Sequence, residues 1–374
     1  MYARDYSNNQ IKMFNITYCL MVLIFPIFVW ININVMSFYI FIMDNLYKIS
    51  VIIPVYNSEN YLSDTIQSVI NQTIGFENIE LLLIDDKSTD NSRDIINEYS
   101  KKYTNVVPIF LEDNHGFPGY GRNVGINKST SEFIMFLDND DAYNLEICER
   151  LYETIIETDA DLVDCRFDQI DYLSTITSPI YDFNIKPDDI VYYGNINIWT
   201  KIFKKSILVE NDIKFITDGL NEDSLFSIEY FLNIEKMISI DYIGYKHFIR
   251  GDNLSTVTFD YIYGILLSYY KISNLLKGKN YNLNRIFGGR ISITIERTIV
   301  MGDCNFKSIE KVFRELHRFE HSENFYNISL ESPIINLINN LILNNNISVA
   351  VSIIYILNKF SRIKFLKRIY RKQH

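Results

Sequence analysis

Between Ile49 and Tyr143 the chain alternates short apolar runs with amphipathic stretches. The runs ISVIIP from Ile49, IELLLID from Ile79, VVPIF from Val106 and FIMFLD from Phe133 are of strand length and nearly free of polar residues. Strands apolar on both faces belong in a parallel sheet covered on both sides. The stretches between them predict helices near Glu59 to Gln72, Asp90 to Lys102 and Arg122 to Lys128, with another after Tyr143. A Ser-Thr-Asp-Asn cluster ahead of the second of these is a helix-capping signal. From Phe259 onward Ile, Leu, Tyr and Asn recur at helical spacing, which predicts packed helices without recognisable chemistry.

The two ends carry different patterns. Ile16 to Met43 is uncharged and long enough to span a bilayer, interrupted by Asn32 and Asn34. Three readings stay open: a membrane anchor, a segment upstream of a true start at Met43, and a buried core helix or signal peptide. No small-x-small cleavage site follows it, which disfavours the signal. From Asn358, Phe360, Ile363, Leu366, Ile369 and Tyr370 recur between Lys and Arg, the pattern of a basic amphipathic helix on an anionic membrane surface. A solvated terminal helix fits that pattern equally. Together the ends give an expectation of membrane association.

Composition narrows the function. The chain has 374 residues, 48% of them hydrophobic, enough for a substantial core. A net charge of -10 disfavours nucleic acid as a partner, since phosphate binding needs a basic face. Cys19, Cys148, Cys165 and Cys304 form no CxxC pair and no zinc-site spacing, so a reducing compartment fits best.

Two acidic clusters remain to be explained. DDKSTD follows the second strand, and Asp138, Asp140 and Asp141 follow the fourth. In parallel sheets ligands bind at the carboxyl ends of strands, so both clusters fall where one cleft would form. Like charges this close repel and raise one another's pKa unless a cation sits among them. A hard divalent cation is the ligand such oxygens suit, and it keeps positions open for phosphate. The bland alternative is a polar turn whose Asp side chains cap the next helix. A phosphatase with an Asp-x-Asp nucleophile at the end of its first strand is disfavoured, because several strands precede this cluster and Ala142 stands where Thr or Val belongs.

ISVIIPVYNSENYLSDTIQSVINQT, LLLIDDKSTDNS, NHGFPGYGRNVGI and SEFIMFLDNDDAY resemble, in order and spacing, the family 2 inverting glycosyltransferases of GT-A fold. The resemblance is dense from Ile49 to Asp168 and thinner to about Thr256. It implies an α/β, Rossmann-like GT-A fold with a mostly parallel central sheet, helices on both faces and a helical C-terminal region. Expected segments are residues 1–43, a catalytic domain at 44–258, and helices with a basic tail at 259–374.

The resemblance also implies roles. Pro54, Tyr56 and Asn57 would line the nucleotide pocket, and Asp86 would receive the edge of the base. Lys87 stands where the family often has Gly. Arg122 matches a position that approaches the nucleotide, and Asn123 and Gly125 shape its helix. Asp138, Asp140 and Asp141 match the family's acidic motif, with Asp138 placed on the ribose side and Asp140 and Asp141 on Mg2+ or Mn2+. IWTKIFKKSIL from Ile198 and FITDGLNEDSLF from Phe215 are similar to acceptor-side segments of the surface-glycan branch, which makes Asp223 the general base. YKHFIRGDNLST would close over the diphosphate with Arg250, and His247 is a further metal candidate. The absence of QxxRW disfavours a processive synthase.

The function so implied is transfer of a sugar from a nucleotide-diphosphate donor, UDP-linked, to a hydroxyl of a surface glycan or lipid-linked acceptor at the cytoplasmic face of the membrane. A silent binding subunit of a glycan-assembling complex is the rival from another class. A nucleotidyltransferase is a further one, though its GxGxRL loop is missing where this chain reads VYNSEN.

Overall fold

The computed structural model describes residues 47–171, 174–179, 184–185, 189, 191–192, 195–217, 221–250, 258–300, 305–322 and 332–359. The expected anchor at 16–43 and the basic tail beyond residue 359 lie outside them, as does Ser255. Among the described residues no helix is long and apolar enough to cross a membrane.

The first half follows the hydrophobic pattern. Strands β1 (Ile49–Val55), β2 (Ile79–Asp85), β3 (Val106–Phe110) and β4 (Phe133–Phe136) alternate with helices α1 (Leu62–Ile70), α2 (Ser92–Lys102) and α3 (Pro118–Lys128). All seven residues of β2 are buried, as expected of a strand covered on both faces. β1 runs parallel to both β2 and β4, with Ile49 opposite Ile79 on one side and Phe133 on the other. This register brings the ends of β1, β2 and β4 to one edge of the sheet. The start of α2 is held by Asp90, whose carboxylate accepts from Ser92 N at 3.0 Å, and by Glu59, which accepts from Asn91 N at 3.0 Å.

The second half is mixed rather than parallel. β5 (Ala142–Tyr143), α4 (Ile147–Thr158), β6 (Leu162–Ile170), β7 (Thr175–Thr177), β8 (Asn184–Ile185), β9 (Lys201–Lys204), α5 (Lys205–Glu210), α6 (Glu222–Phe231) and β10 (Met237–Phe248) complete the sheet layer. The strand order is β3-β2-β1-β4-β9-β6-β10-β5, with β7 on β6 and β8 on β10. β9 lies antiparallel to both β4 and β6, while β6 and β10 are parallel to each other. Because β9 runs against β4, the residues just ahead of it, including Trp199, arrive at the same edge as the acidic end of β4.

Helices α7 (Phe259–Leu276), α8 (Leu283–Val300), α9 (Phe306–Ser322), α10 (Pro333–Leu343) and α11 (347–359) form the C-terminal region. Tyr269, Phe287 and Phe319 meet at its centre, with ring centroids 5.1–5.7 Å apart. Aromatic edge-to-face contacts of this kind add to the burial of their area. The region is tied to the sheet layer where Asn221, ahead of α6, donates to Ser268 Oγ of α7 at 2.6 Å.

One close approach fixes the position of α3. A Cβ on Gly119 would stand 2.3 Å from the backbone carbonyl of Ile216, on the segment that leads to α6. A helical Gly→Ala change ordinarily gains up to about 1 kcal/mol. Overpacking costs about 1–3 kcal/mol, and a backbone carbonyl has little room to yield. Gly119→Ala is therefore expected to destabilise the fold by roughly 1 kcal/mol or more, read from the urea unfolding midpoint; a stabilised variant would mean that α3 and the 215–216 segment separate freely.

Candidate active site

The ends of β1, β2 and β4, the start of α6 and the inner faces of α7 and α8 enclose one cavity of about 810 Å3. Its lining includes Pro54, Tyr56, Asn57, Asp86, Arg122, Asp138, Asp140, Asp223 and His247. Sequence positions spread over nearly two hundred residues thus converge. Of the expected site residues, Asp141 and Arg250 lie behind the wall rather than in it.

At the β1–β2 end the side chains brace one another. Asp86 N donates to Val55 O at 2.8 Å, locking the two strand ends together. Asn57 has φ +47°, a left-handed conformation that Asn tolerates better than most residues, and its side-chain carbonyl accepts from Thr89 N at 2.8 Å. Lys87 has φ +60°, so the position where the resemblance expects Gly keeps a left-handed turn at a cost of about 1 kcal/mol. Asp86 accepts from His115 N at 2.9 Å and Gly116 N at 3.2 Å, and so holds the glycine-containing loop against the cavity. Its neighbour Asp85 is fully buried and pairs with Arg93 at 2.6 Å.

Arg122 is the centre of the site. It donates from Nη1 to Glu222 and Asp223, each at 2.8 Å, and from Nη2 to Asp138 at 2.7 Å. The guanidinium is 3% exposed and lies over the Phe215 ring. Both terminal nitrogens bond carboxylates, so Arg122 gathers three acids at one place while itself lining the cavity. One positive charge cannot neutralise three negative ones. Burial, and then Glu222 and Asp138, push the Asp223 carboxyl up to about 8 against the opposing pull of Arg122 and Lys201. Asn123 clips the same region together, exchanging hydrogen bonds with both the N–H and the carbonyl of Phe215 at 2.9 and 2.8 Å.

The three aspartates after β4 divide. Asp138 faces Arg122. Asp140 faces the cavity and forms an ion pair with Arg250 at 3.2 Å; burial, then Asp141 and Asp138, push it up to about 7. Arg250 is stacked over Tyr61, its cationic carbon 4.1 Å from the ring centre. Asp141 is buried, and its oxygens accept from Tyr245 Oη at 2.8 Å, Phe248 N at 2.8 Å and His247 Nδ1 at 2.9 Å. This departs from the expectation of a metal ligand: Asp141 is used up inside the wall, where it fixes the His247 ring. Among the described residues no three His, Cys, Asp or Glu side chains converge at metal-ligand spacing.

Sequence reasoning passed over part of the wall. Trp199 stacks on Tyr245 at 4.2 Å and on His247 at 5.6 Å, giving the cavity an aromatic side. Tyr261 of α7 and Arg290 and Arg297 of α8 also line it. The available signal was the seven-residue spacing of the two arginines, two turns on one helical face.

The family model for glycosyl transferase family 2 matches residues 50–214. The poly(ribitol-phosphate) beta-N-acetylglucosaminyltransferase TarP of Staphylococcus aureus is 32% identical over 247 residues, which are 64% of this chain and 69% of that protein. The chain belongs to glycosyltransferase family 2. The poly(ribitol-phosphate) beta-glucosyltransferase of Bacillus spizizenii is 34% identical over 291 residues, 74% of this chain and 45% of that one. The chain spans less than half the length of that relative and of glycosyltransferase GlyA of Streptococcus pneumoniae, 45% and 42% respectively. S. aureus TarS 1-349 in complex with UDP-GlcNAc shares the fold, with a TM-score of 0.62 at 20% identity over 85% of this chain and 92% of that one. In this family 2 member the matched segment holds Asp86, Arg122 and the acidic cluster, while Asp223, His247, Arg250 and the α7–α8 wall lie beyond it.

Removing the guanidinium would leave three crowded carboxylates. Arg122→Gln is expected to destabilise the fold by about 3 kcal/mol at pH 8 and less at pH 5, where protonation of Asp223 relieves part of the repulsion. Urea unfolding at the two pH values checks this, and a loss independent of pH would show that the acids are not what Arg122 holds.

Proposed function

We propose that the chain is an inverting glycosyltransferase that moves a sugar from a UDP-linked donor to a hydroxyl of a surface glycan. The observation that carries this reading is Asp223: a carboxyl on the cavity wall, fixed by Arg122 and raised toward neutrality. A general base works best with a pKa near the working pH. In the step, an Asp223 oxygen takes the proton of the acceptor hydroxyl while the acceptor oxygen bonds to the anomeric carbon. The bond from that carbon to the diphosphate breaks, its electron pair leaving with UDP, and the configuration inverts. Family membership, relatives that act on poly(ribitol-phosphate) and a like-folded protein bound to UDP-GlcNAc support the reaction class and the donor.

The residues fit a divalent cation in part. Asp140 presents an under-compensated carboxylate to the cavity. His247, with Nδ1 held by Asp141, has the carboxylate-backed arrangement common in metal-binding histidines. These two would hold Mg2+ or Mn2+, a ligand count that suits an ion completed by substrate phosphates. When bound, such an ion neutralises the departing diphosphate. Pro54, Tyr56, Asn57 and Asp86 would receive the nucleoside, with the Asp86 carboxylate accepting from a ring N–H. Asp138 would meet the ribose. Arg250, behind Asp140, limits how far that carboxylate swings.

Asp223→Asn is expected to bind UDP within about twofold of the unaltered chain while kcat falls by a factor of roughly 10^2–10^4. Calorimetric titration with UDP and a donor-consumption assay measure the two quantities; weakened UDP binding with turnover retained would remove Asp223 as the base. For the unaltered chain kcat/KM should rise with pH toward a plateau above about 8, because the base works deprotonated. A profile flat from pH 6 to 9 contradicts that assignment. Asp140→Ala is expected to abolish the difference in UDP affinity between Mn2+ and EDTA. Failure of the unaltered chain to bind UDP with Mn2+ present would favour a silent binding subunit.

A further inference from the structure

A lysine lies buried behind the cavity wall. Lys201 opens β9 inside the run IWTKIF and is fully buried, as is Asp164 opposite it on β6. An ammonium taken from water is costly unless each of its three N–H groups finds an acceptor. Here the acceptors are Asn197 O at 2.6 Å, Asp164 Oδ1 at 3.2 Å and Thr200 Oγ1 at 3.3 Å. The Asp164 carboxylate also accepts from Thr200 Oγ1 at 2.5 Å and Asn195 Nδ2 at 3.0 Å. This set of donors and acceptors suits the ionised pair. Burial pulls the Lys201 pKa below its ordinary value, and Asp164 is the leading influence against that pull.

Register places the ammonium beside Asp223. Side chains two apart share a strand face, so Lys201 points to the side of β9 that Phe203 takes. Phe203 packs on Phe226 and Tyr230 of α6, with ring centroids 5.6 and 5.0 Å apart, and Tyr230 Oη accepts from Lys204 N at 3.0 Å. The end of α6 thus lies at the end of β9. From Tyr230 back to Asp223 is about 10.5 Å of helix, and from Lys204 back to Lys201 is about 10 Å of strand, so the two beginnings also meet. Ser227, one turn after Asp223 and on its face, donates to Ile196 O at 2.7 Å. The loop 195–200 that Lys201 holds is therefore seated on α6 as well, and its Asn197 and Trp199 line the cavity. The charged groups acting on Asp223 are Arg122 of α3, Glu222 of its own helix, Asp138 after β4 and Lys201 of β9. Asp140, His247, Arg290 and Arg297 line the same cavity.

We infer that Lys201 is a positioning residue for the base, supplying from behind the wall the second cation that Asp223 faces and seating the 195–200 loop against α6. Arg122 is shared with Glu222 and Asp138, so it alone leaves Asp223 beside two like charges. A cation behind the wall counters that repulsion without occupying the cavity. The part played for a base rests on the transfer reading, while the charge contact itself is measurable without turnover.

The first measurement is a stability cycle on the full chain: urea unfolding of the unaltered protein, Lys201→Met, Asp223→Asn and the double variant, at pH 6 and pH 8.5. Asp223 is ionised at the higher pH and protonated at the lower. At pH 8.5 Lys201→Met should lower the midpoint by about 0.3 M urea more with Asp223 present than in the Asn background. At pH 6 the two losses should agree. The second measurement is kcat/KM with UDP-GlcNAc and poly(ribitol phosphate) between pH 5.5 and 9. Loss of the cation should move the acid limb up by about half a pH unit, roughly threefold in rate at pH 7, and Lys201→Arg should move it back. Where Lys201→Met does not fold, Lys201→Met/Asp164→Asn, which removes both charges of the pair, replaces it in both measurements. Equal midpoint losses in the two backgrounds at pH 8.5, or a loss of kcat/KM by one factor at every pH, would make Lys201 a structural lysine and overturn the inference. Coupling at pH 8.5 in a chain that does not turn over the donor leaves the contact standing while the transfer reading falls.

Discussion

The rest of the site depends on one guanidinium. Arg122 on α3 reaches the end of β4 through Asp138 and, a hundred residues further along the chain, the start of α6 through Glu222 and Asp223. A bidentate, planar, permanently charged group is the side chain suited to that task; a lysine would offer one point charge and no fixed angle. The same hub that positions the acids also leaves them under-neutralised, and burial together with that deficit keeps Asp223 raised.

What the sequence revealed depended on locality. The strands were legible because a strand buried on both faces must be apolar throughout, and IELLLID is. Asp86 and Asp138 were legible because they directly follow those strands. The antiparallel insertion of β9 was not, since a four-residue strand has no periodicity that states its direction. Asp141 was misassigned for a related reason: Tyr245 and His247, which occupy its oxygens, lie 104 and 106 residues downstream. Adjacent aspartates look equivalent in a sequence and become different only when their partners arrive. Arg290 and Arg297 were hidden because charged residues at helical spacing ordinarily describe a solvated face.

The expected catalytic segment and helical region meet over the cavity rather than side by side. Asn221 and Ser268 join them at the point where α6 begins, so the residue assigned as base sits at the seam. The aromatic side made by Trp199, Tyr245 and His247 comes from β9 and β10, the strands that depart from the parallel half. The irregular half of the sheet and the helices beyond it thus supply what the regular half does not: a second wall.

The α7–α8 part of that second wall lies outside the segment that the family model matches. The segment shared across family 2 ends at residue 214, before the base and before either arginine of α8. The side chains proposed for the nucleoside, Pro54, Tyr56, Asn57 and Asp86, lie within that segment, and the proposed base and the α7–α8 wall lie beyond it. Exchanging α7 and α8 would therefore replace one wall of the cavity while leaving the ends of β1, β2 and β4 that form the other in place.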